Sequence, residues 1–215
     1  MTKGTCTACQ RTMAKAAMTR HVVSCGRSER GPAALVMSVA DRGAPGDYWL
    51  HLEVPASTPL RTLDRFLRDL WLECCGHLSM FEIDGRTYPV EDDLLGIAMP
   101  GIEDGSADVP VEAVLRPGDE ARHLYDMGST TELQVRCIDQ RAGHEHGEIR
   151  LLARNAPPEI ACSSCGGPAS VICTDCSWDG AGDLCDACAG EHSCEDELYL
   201  PIVNSPRFGV CGYAG

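Results

Sequence analysis

The sequence predicts an α+β protein: a central strand-helix-strand body with a mixed or antiparallel sheet, flanked by two small metal-held modules. Three observations predict it. Most of the 14 cysteines fall in CxxC pairs near the two ends, short alternating apolar runs lie between them, and one apolar stripe recurs at helical spacing over residues 60–74. A chain of 215 residues, 44% of them hydrophobic, can bury one moderate core and one or two satellites. Aromatics make up only 5%, and 22 glycines with 13 prolines indicate a loop-rich molecule held by more than packing.

The first unit, residues 1–30, carries Cys6, Cys9, His21 and Cys25 as CxxC, eleven residues, His, three residues, Cys. Two thiolates on a two-residue spacer, closed by a distant His and Cys, form a tetrahedral N/S set for zinc, so this unit is predicted to be a Cys-Cys-His-Cys zinc finger. If it read DNA, the base-contacting positions would fall on Ala14, Ala17 and Arg20. Two alanines make no bidentate hydrogen bonds to bases, so sequence-specific reading is not expected. Phosphate contact by Lys15, Arg20 and Arg27, a protein contact through the Ala/Met face, and a simple stabilising cap remain open. The polar stretch GRSERGP then reads as a linker.

The body is predicted over residues 31–156. Residues 33–40 (AALVMSVA) and 47–54 (DYWLHLEV) are β-prone and flank the turn-rich DRGAPG, which makes a hairpin. In the second run Tyr48, Leu50, Leu52 and Val54 share one side, and Trp49, His51 and Glu53 the other. Thr58-Pro59 suits a helix N-cap and first helical residue, and Leu60, Leu63, Phe66, Leu67, Leu70, Trp71 and Cys74 follow at helical spacing. HLSMFEI, Asp84-Gly85 and RTYPV make a second hairpin. Residues 91–110 are acidic and Gly/Pro-rich and read as an irregular loop, followed by a short helix over residues 111–115. Strands are expected at 121–126, 131–138 and 148–153, with the polar RAGHEHG between the last two and NAPP as the exit.

The tail, residues 157–215, packs seven cysteines and one histidine into residues 162–194: CxxC at 162/165, 173/176 and 185/188, then His192 and Cys194. Eight N/S ligands correspond to two zinc ions, and a full cysteine-rich complement indicates a structural rather than a catalytic role. The order resembles the interleaved spacing of B-box and RING-like zinc modules. That resemblance implies a cross-braced arrangement, in which Cys162, Cys165, Cys185 and Cys188 hold one ion and Cys173, Cys176, His192 and Cys194 the other. Sequential pairing is the rival, and Cys211 is an alternative ligand to His192 or Cys194. Three zinc ions are expected in all.

The formal net charge is −14, but residues 1–30 hold six basic side chains against the single Glu29, a balance of +5 that leaves −19 for the rest. An acidic body repels phosphate backbones, so nucleic acid is expected to meet only residues 1–30. No leader peptide and no membrane-length apolar run is read, which together with reduced cysteines suggests a cytoplasmic protein.

Among enzymatic readings, Cys74, Cys75 and His77 in WLECCGHL suggest a nucleophile and its base, though Cys74 lies on the apolar stripe. His144, Glu145 and His146 are more simply solvated than metal-binding, and Asp126 is more simply a turn-forming cap than an acid/base group. No Walker loop, dinucleotide-binding glycine motif or serine elbow is present.

The stretches YWLHLEVPASTPLRTLDRFLRDLWLECCGHLSMFEIDGRTY, HLYDMGSTTELQVRC, ARNAPPEIACSSCGGPASVICTDC and LPIVNSPRFGVCGYAG resemble the plasmid pRiA-type ORF-three-like family, some of whose members are labelled insertion-element passenger TnpR-like proteins. The resemblance spans roughly residues 33–215 and implies an α+β body and carriage on plasmids or mobile elements, with no defined activity. Met127 stands where the family has an aromatic, and the N-terminal finger is an addition. These features together suggest a non-enzymatic zinc-binding adaptor or regulatory protein with a protein partner. A nucleic-acid accessory factor acting through the basic finger is the alternative, and a thiol enzyme using Cys75 and His77 a second one.

Overall fold

The computed structural model describes residues 2–90, 105–144, 147–194 and 198–215. Residues 91–104 of the acidic loop, and Glu145 and His146, therefore lie outside the described residues. The architecture is α+β and rich in sheet. Nine strands form one sheet in the order β2-β1-β9-β4-β3-β8-β7-β5-β6, and every pairing is antiparallel rather than mixed. They are β1 (Lys3–Cys6), β2 (Thr12–Ala14), β3 (Ala33–Asp41), β4 (Trp49–Pro55), β5 (Ser79–Ile83), β6 (Arg86–Val90), β7 (Glu120–Tyr125), β8 (Thr131–Ala142) and β9 (Arg150–Asn155).

Both predicted hairpins form. Asp84 (φ 48°) and Gly85 (φ 75°) occupy the left-handed region together, the conformation a two-residue turn needs between β5 and β6. The stripe forms α2 (Leu60–Leu67), but Thr58 does not cap it. Pro59 holds the N-cap position, and the first amides of the helix donate instead to the carbonyls of Val109 (3.0 Å) and Ala107 (2.9 Å). Backbone acceptors from the incoming loop make a side-chain cap unnecessary. Nor does the α-helix reach residue 74: over Arg68–Leu72 it widens to a five-residue turn that buries Trp71 and Leu72 together.

The core beneath α2 gathers Leu35, Met37 and Val39 of β3, Leu50, Leu52 and Val54 of β4, and Leu60, Leu63 and Leu67. A buried His123–Asp64 pair (2.6 Å) pins α2 to β7. The short α3 (Val111–Val114) closes one end of this core through Val111.

The opposite face is covered too. β1 pairs with β9, so the N-terminal unit continues the main sheet, and α1 (Lys15–Val22) lies over Trp49, Val36 and Ala153. Met18 and Val22 are wholly buried there, so Met18 of the Ala/Met face packs on the chain's own sheet, while Ala14 and Ala16 stay exposed. Gly4 makes the approach possible, since a Cβ there would sit 2.4 Å from the Trp49 ring and 2.3 Å from the Arg154 carbonyl oxygen. RAGHEHG is not simply a polar connector either. β8 runs on to Ala142, and the buried Arg141 forks onto Glu53 (2.6 and 2.9 Å) while donating to the carbonyls of Val22 (2.7 Å) and Val23 (3.1 Å). The guanidinium thus ties the last carbonyls of α1 to the sheet.

Two outcomes are expected from these contacts. Arg141→Leu leaves Glu53 buried with Arg150, at 3.2 Å, as its remaining ion-pair partner among the described residues, and should lower unfolding free energy in urea by about 3–5 kcal/mol. His51, enclosed beside Trp49 with Thr19 Oγ1 2.9 Å from its Nε2, is pushed down to about 4 by burial and by the charge of Lys15. Between pH ~6.5 and 4 the unfolded chain binds the proton that the folded chain refuses, so His51 costs up to ~1.4 kcal/mol of stability per pH unit as pH falls through that window. His51→Gln should remove that increment, measured as the difference between the two proteins in urea titrations at pH 7 and pH 5.

Candidate metal centres

The cysteine-rich tail folds as a second, three-stranded sheet, β11-β10-β12, from β10 (Val171–Cys173), β11 (Asp183–Leu184) and β12 (Tyr199–Pro201), with α4 (Asp186–Glu191) beside it. Among the described residues, Cys162, Cys173 and Leu184 form its central buried cluster, Ile172 and Leu200 are also buried, and partly buried side chains surround them. So small an apolar interior cannot hold a fold of this size alone.

Cys162, Cys165, Cys185 and Cys188 converge, as do Cys173, Cys176, His192 and Cys194, with all ligand atoms of a group within 4.8 Å of one another. Local structure explains both sets. Gly166, in the left-handed region at φ 75°, turns the chain so that its amide reaches the Cys162 carbonyl at 2.8 Å. Cys185 occupies the N-cap position of α4 and His192 its C-cap position. One short helix therefore sends Cys185 and Cys188 into the first group and His192 into the second. Cys211, considered above for this module, belongs to neither.

At the N-terminus, Cys6 ends β1, Cys9 lies in the following turn, His21 projects from α1 and Cys25 follows it. Cys6 and Cys25 sulfurs are 3.8 Å apart, and Cys9 Sγ is 3.2 Å from His21 Nε2. A fourth group, absent from the sequence reading as a metal set, unites Cys74, Cys75 and His77 with Cys211. The WLECCGHL signal was visible in the sequence, but nothing local tied it to a cysteine more than 130 residues away.

Every one of the 14 cysteines is a free thiol. Around a tetrahedral ion with bonds of about 2.3 Å, sulfurs stand roughly 3.8 Å apart. The spacings fit that radius: Cys165–Cys185 3.8 Å, Cys173–Cys194 3.6 Å, and Cys176 Sγ to His192 Nε2 3.3 Å. The donor sets, four thiols or three thiols with one imidazole, suit a soft or borderline divalent cation.

Electrostatics within the groups point the same way. The amides of Cys185 and Cys165 bring Cys162 down to about 6, while hydrogen bonding to Cys185, Cys165 and Cys162 pushes Cys188 up to about 12. The Arg11 amide brings Cys9 down to about 7, and burial with the neighbouring sulfurs lifts Cys25 to about 11. One sulfur in each group ionises readily and then opposes ionisation of the next, a conflict that a bound cation relieves. The same logic weakens the nucleophile reading. Cys75 is pushed up to about 12, chiefly by its hydrogen bond to Cys211. At its neighbour Cys74 burial is outweighed by the hydrogen bond and charge of Arg207, which lower that thiol, so the one named with His77 as nucleophile is not the depressed one.

Asp126, at φ 65°, accepts from the Gly128 amide at 2.9 Å and from Arg207 at 2.6 Å, a turn and ion-pair role. His144 is exposed, its ring 3.3 Å from the Gly26 carbonyl.

Loss of one finger ligand should loosen α1 alone, because an eight-residue helix has no stability of its own. Cys9→Ser is expected to raise amide hydrogen exchange in residues 15–22 at least tenfold and to leave the amides of α2 protected, read by mass spectrometry of peptic fragments.

No protein-family profile and no curated protein matches the chain. Among solved structures, the chain is similar to a protein of unknown function, MM3350 from Methanosarcina mazei Go1, at 16% identity and a TM-score of 0.44, covering 64% of this chain and 76% of that one.

Proposed function

We propose that the protein is a zinc-binding, non-enzymatic adaptor, in which metal-held modules carried on a rigid sheet present a surface to a protein partner. The observation that carries this reading is the completeness of the ligand sets. Cys6/Cys9/His21/Cys25, Cys162/Cys165/Cys185/Cys188 and Cys173/Cys176/His192/Cys194 each offer four soft donors. A zinc ion so enclosed keeps no position for substrate and supplies cross-linking rather than Lewis-acid chemistry.

A partner surface is at hand on the tail. Trp178 is 88% exposed and Leu198 56%, and both line a groove of about 1050 Å³ together with Ile172, Phe208 and Val210. Exposed aromatics beside a concavity are what protein interfaces are built on. The nucleic-acid alternative has less behind it. The net charge is −14, and Lys15, one of the three basic residues considered for phosphate, is half-buried and donates to the Pro45 carbonyl at 2.9 Å. No helix among the described residues is long and apolar enough to cross a membrane.

Deleting residues 1–30 would strip β1 and α1 from the sheet and uncover Trp49, so point variants make the better test. With partners captured from lysate and identified, Trp178→Ser is expected to reduce capture at least tenfold. Capture by the unaltered chain should survive 0.3 M salt and be lost on zinc chelation. Duplex DNA binding that weakens steeply with salt, or an activity abolished by Cys75→Ala in a folded protein, would overturn the adaptor reading.

A further inference from the structure

We infer that Cys74, Cys75, His77 and Cys211 form a fourth zinc-class site, whose ion clasps the C-terminal segment onto the body. The inference rests on the metal-binding reading and adds to it an ion that closes a longer stretch of chain than any of the other three groups.

Four observations carry it. First, the ligand atoms of the group lie within 4.8 Å of one another although His77 and Cys211 are 134 residues apart in sequence. Sulfur spacings of 3.8 Å (Cys74–Cys75) and 3.6 Å (Cys75–Cys211) match a shared tetrahedral ion and are far beyond the roughly 2.05 Å of a disulfide. Second, the imidazole takes part. His77 Nε2 stands 2.9 Å from Cys75 Sγ and 3.2 Å from Cys211 Sγ, a place a thiol pair would not need but a fourth ligand does.

Third, the group is framed by polar residues of the kind that orient metal ligands. Arg207, wholly buried, donates to Cys74 Sγ (3.5 Å) and to Asp126 (2.6 Å), placing a fixed positive charge beside a group that three thiolates and one divalent ion would leave at −1. Glu73 accepts from the Gly76 amide (2.6 Å) and from the Tyr125 hydroxyl (3.1 Å), and the Cys74 amide donates to that same hydroxyl (3.3 Å). This holds the Cys74–His77 turn directly after the widened end of the helix.

Fourth, the clasped segment is already laid along the body. Trp71 Nε1 donates to the Asn204 carbonyl (3.1 Å), Ser205 donates back to the Trp71 carbonyl (2.6 Å), and Arg207 reaches the Ser129 carbonyl (2.9 Å). Cys211 itself adopts φ 51°, followed by Gly212 at φ 72°, a tight left-handed turn that brings its sulfur back to the cluster.

Native mass spectrometry of the full chain, purified reduced and without chelator, tests this. Four zinc ions per chain are expected, and three in Cys211→Ser and in His77→Ala. Cys75 and Cys211, both exposed, should resist iodoacetamide in the metal-loaded chain and label at least tenfold faster after chelation. Cys211→His, which keeps a ligand, should retain four ions even if the serine variant proves too unstable to purify. Three ions in the unaltered chain, with Cys75 and Cys211 labelling promptly or joined in a disulfide, would overturn the clasp while leaving the adaptor reading standing. A chain with no bound ion would overturn both.

Discussion

Thiols brought within bonding radius of a common point cannot all ionise unless a cation shares their charge, and four such convergences occur among the described residues. The sheet has an interior of ordinary kind beneath α2, whereas the central cluster among the tail's described residues is two cysteines and a leucine, with Ile172 and Leu200 buried besides. Where apolar area is scarce, convergent sulfur donors are groups through which a bound cation could add cohesion to what packing supplies. The amide hydrogen bonds on Cys162 and Cys9 show the backbone already shaped to hold negative sulfur. α4, with one group at each end, makes the two centres of the tail mechanically a single unit.

The other organising contact is ionic and buried. Arg141 and Glu53, from β8 and β4, face the end of α1 rather than solvent, and the guanidinium satisfies carbonyls that a helix terminus leaves open. Burying such a pair is expensive unless its remaining hydrogen bonds are also met, which Arg150 and the His144 amide do for Glu53. The N-terminal unit is thereby part of the sheet's second layer and not a bead on a linker.

Much of this could be read from the sequence. Period-2 alternation placed both hairpins, the helical stripe found α2, and cysteine spacing picked out the residues of three clusters. Alternation in β4 also separated Leu50, Leu52 and Val54 from Trp49, His51 and Glu53, and the structure places the two sides in different layers, the second roofed by α1. What was not legible has physical reasons. The widened turn after Leu67 is a tertiary compromise that lets Trp71 meet Asn204, and nothing in residues 68–72 encodes that partner locally. Cys211 stood only as an alternative to His192 or Cys194 in the nearest cysteine-rich run, because proximity along the chain was the available guide, whereas its neighbours in space are Cys74, Cys75 and His77.

Asn155, at the end of β9, and Asn204, just past β12, exchange hydrogen bonds, with Asn155 Nδ2 donating to Asn204 Oδ1 at 2.7 Å and Asn204 Nδ2 to the Asn155 carbonyl at 2.9 Å. The strand that leads into the cysteine-rich module and the segment that leads out of it are thus fastened side by side, so the two ends of the module cannot drift apart while this amide pair holds.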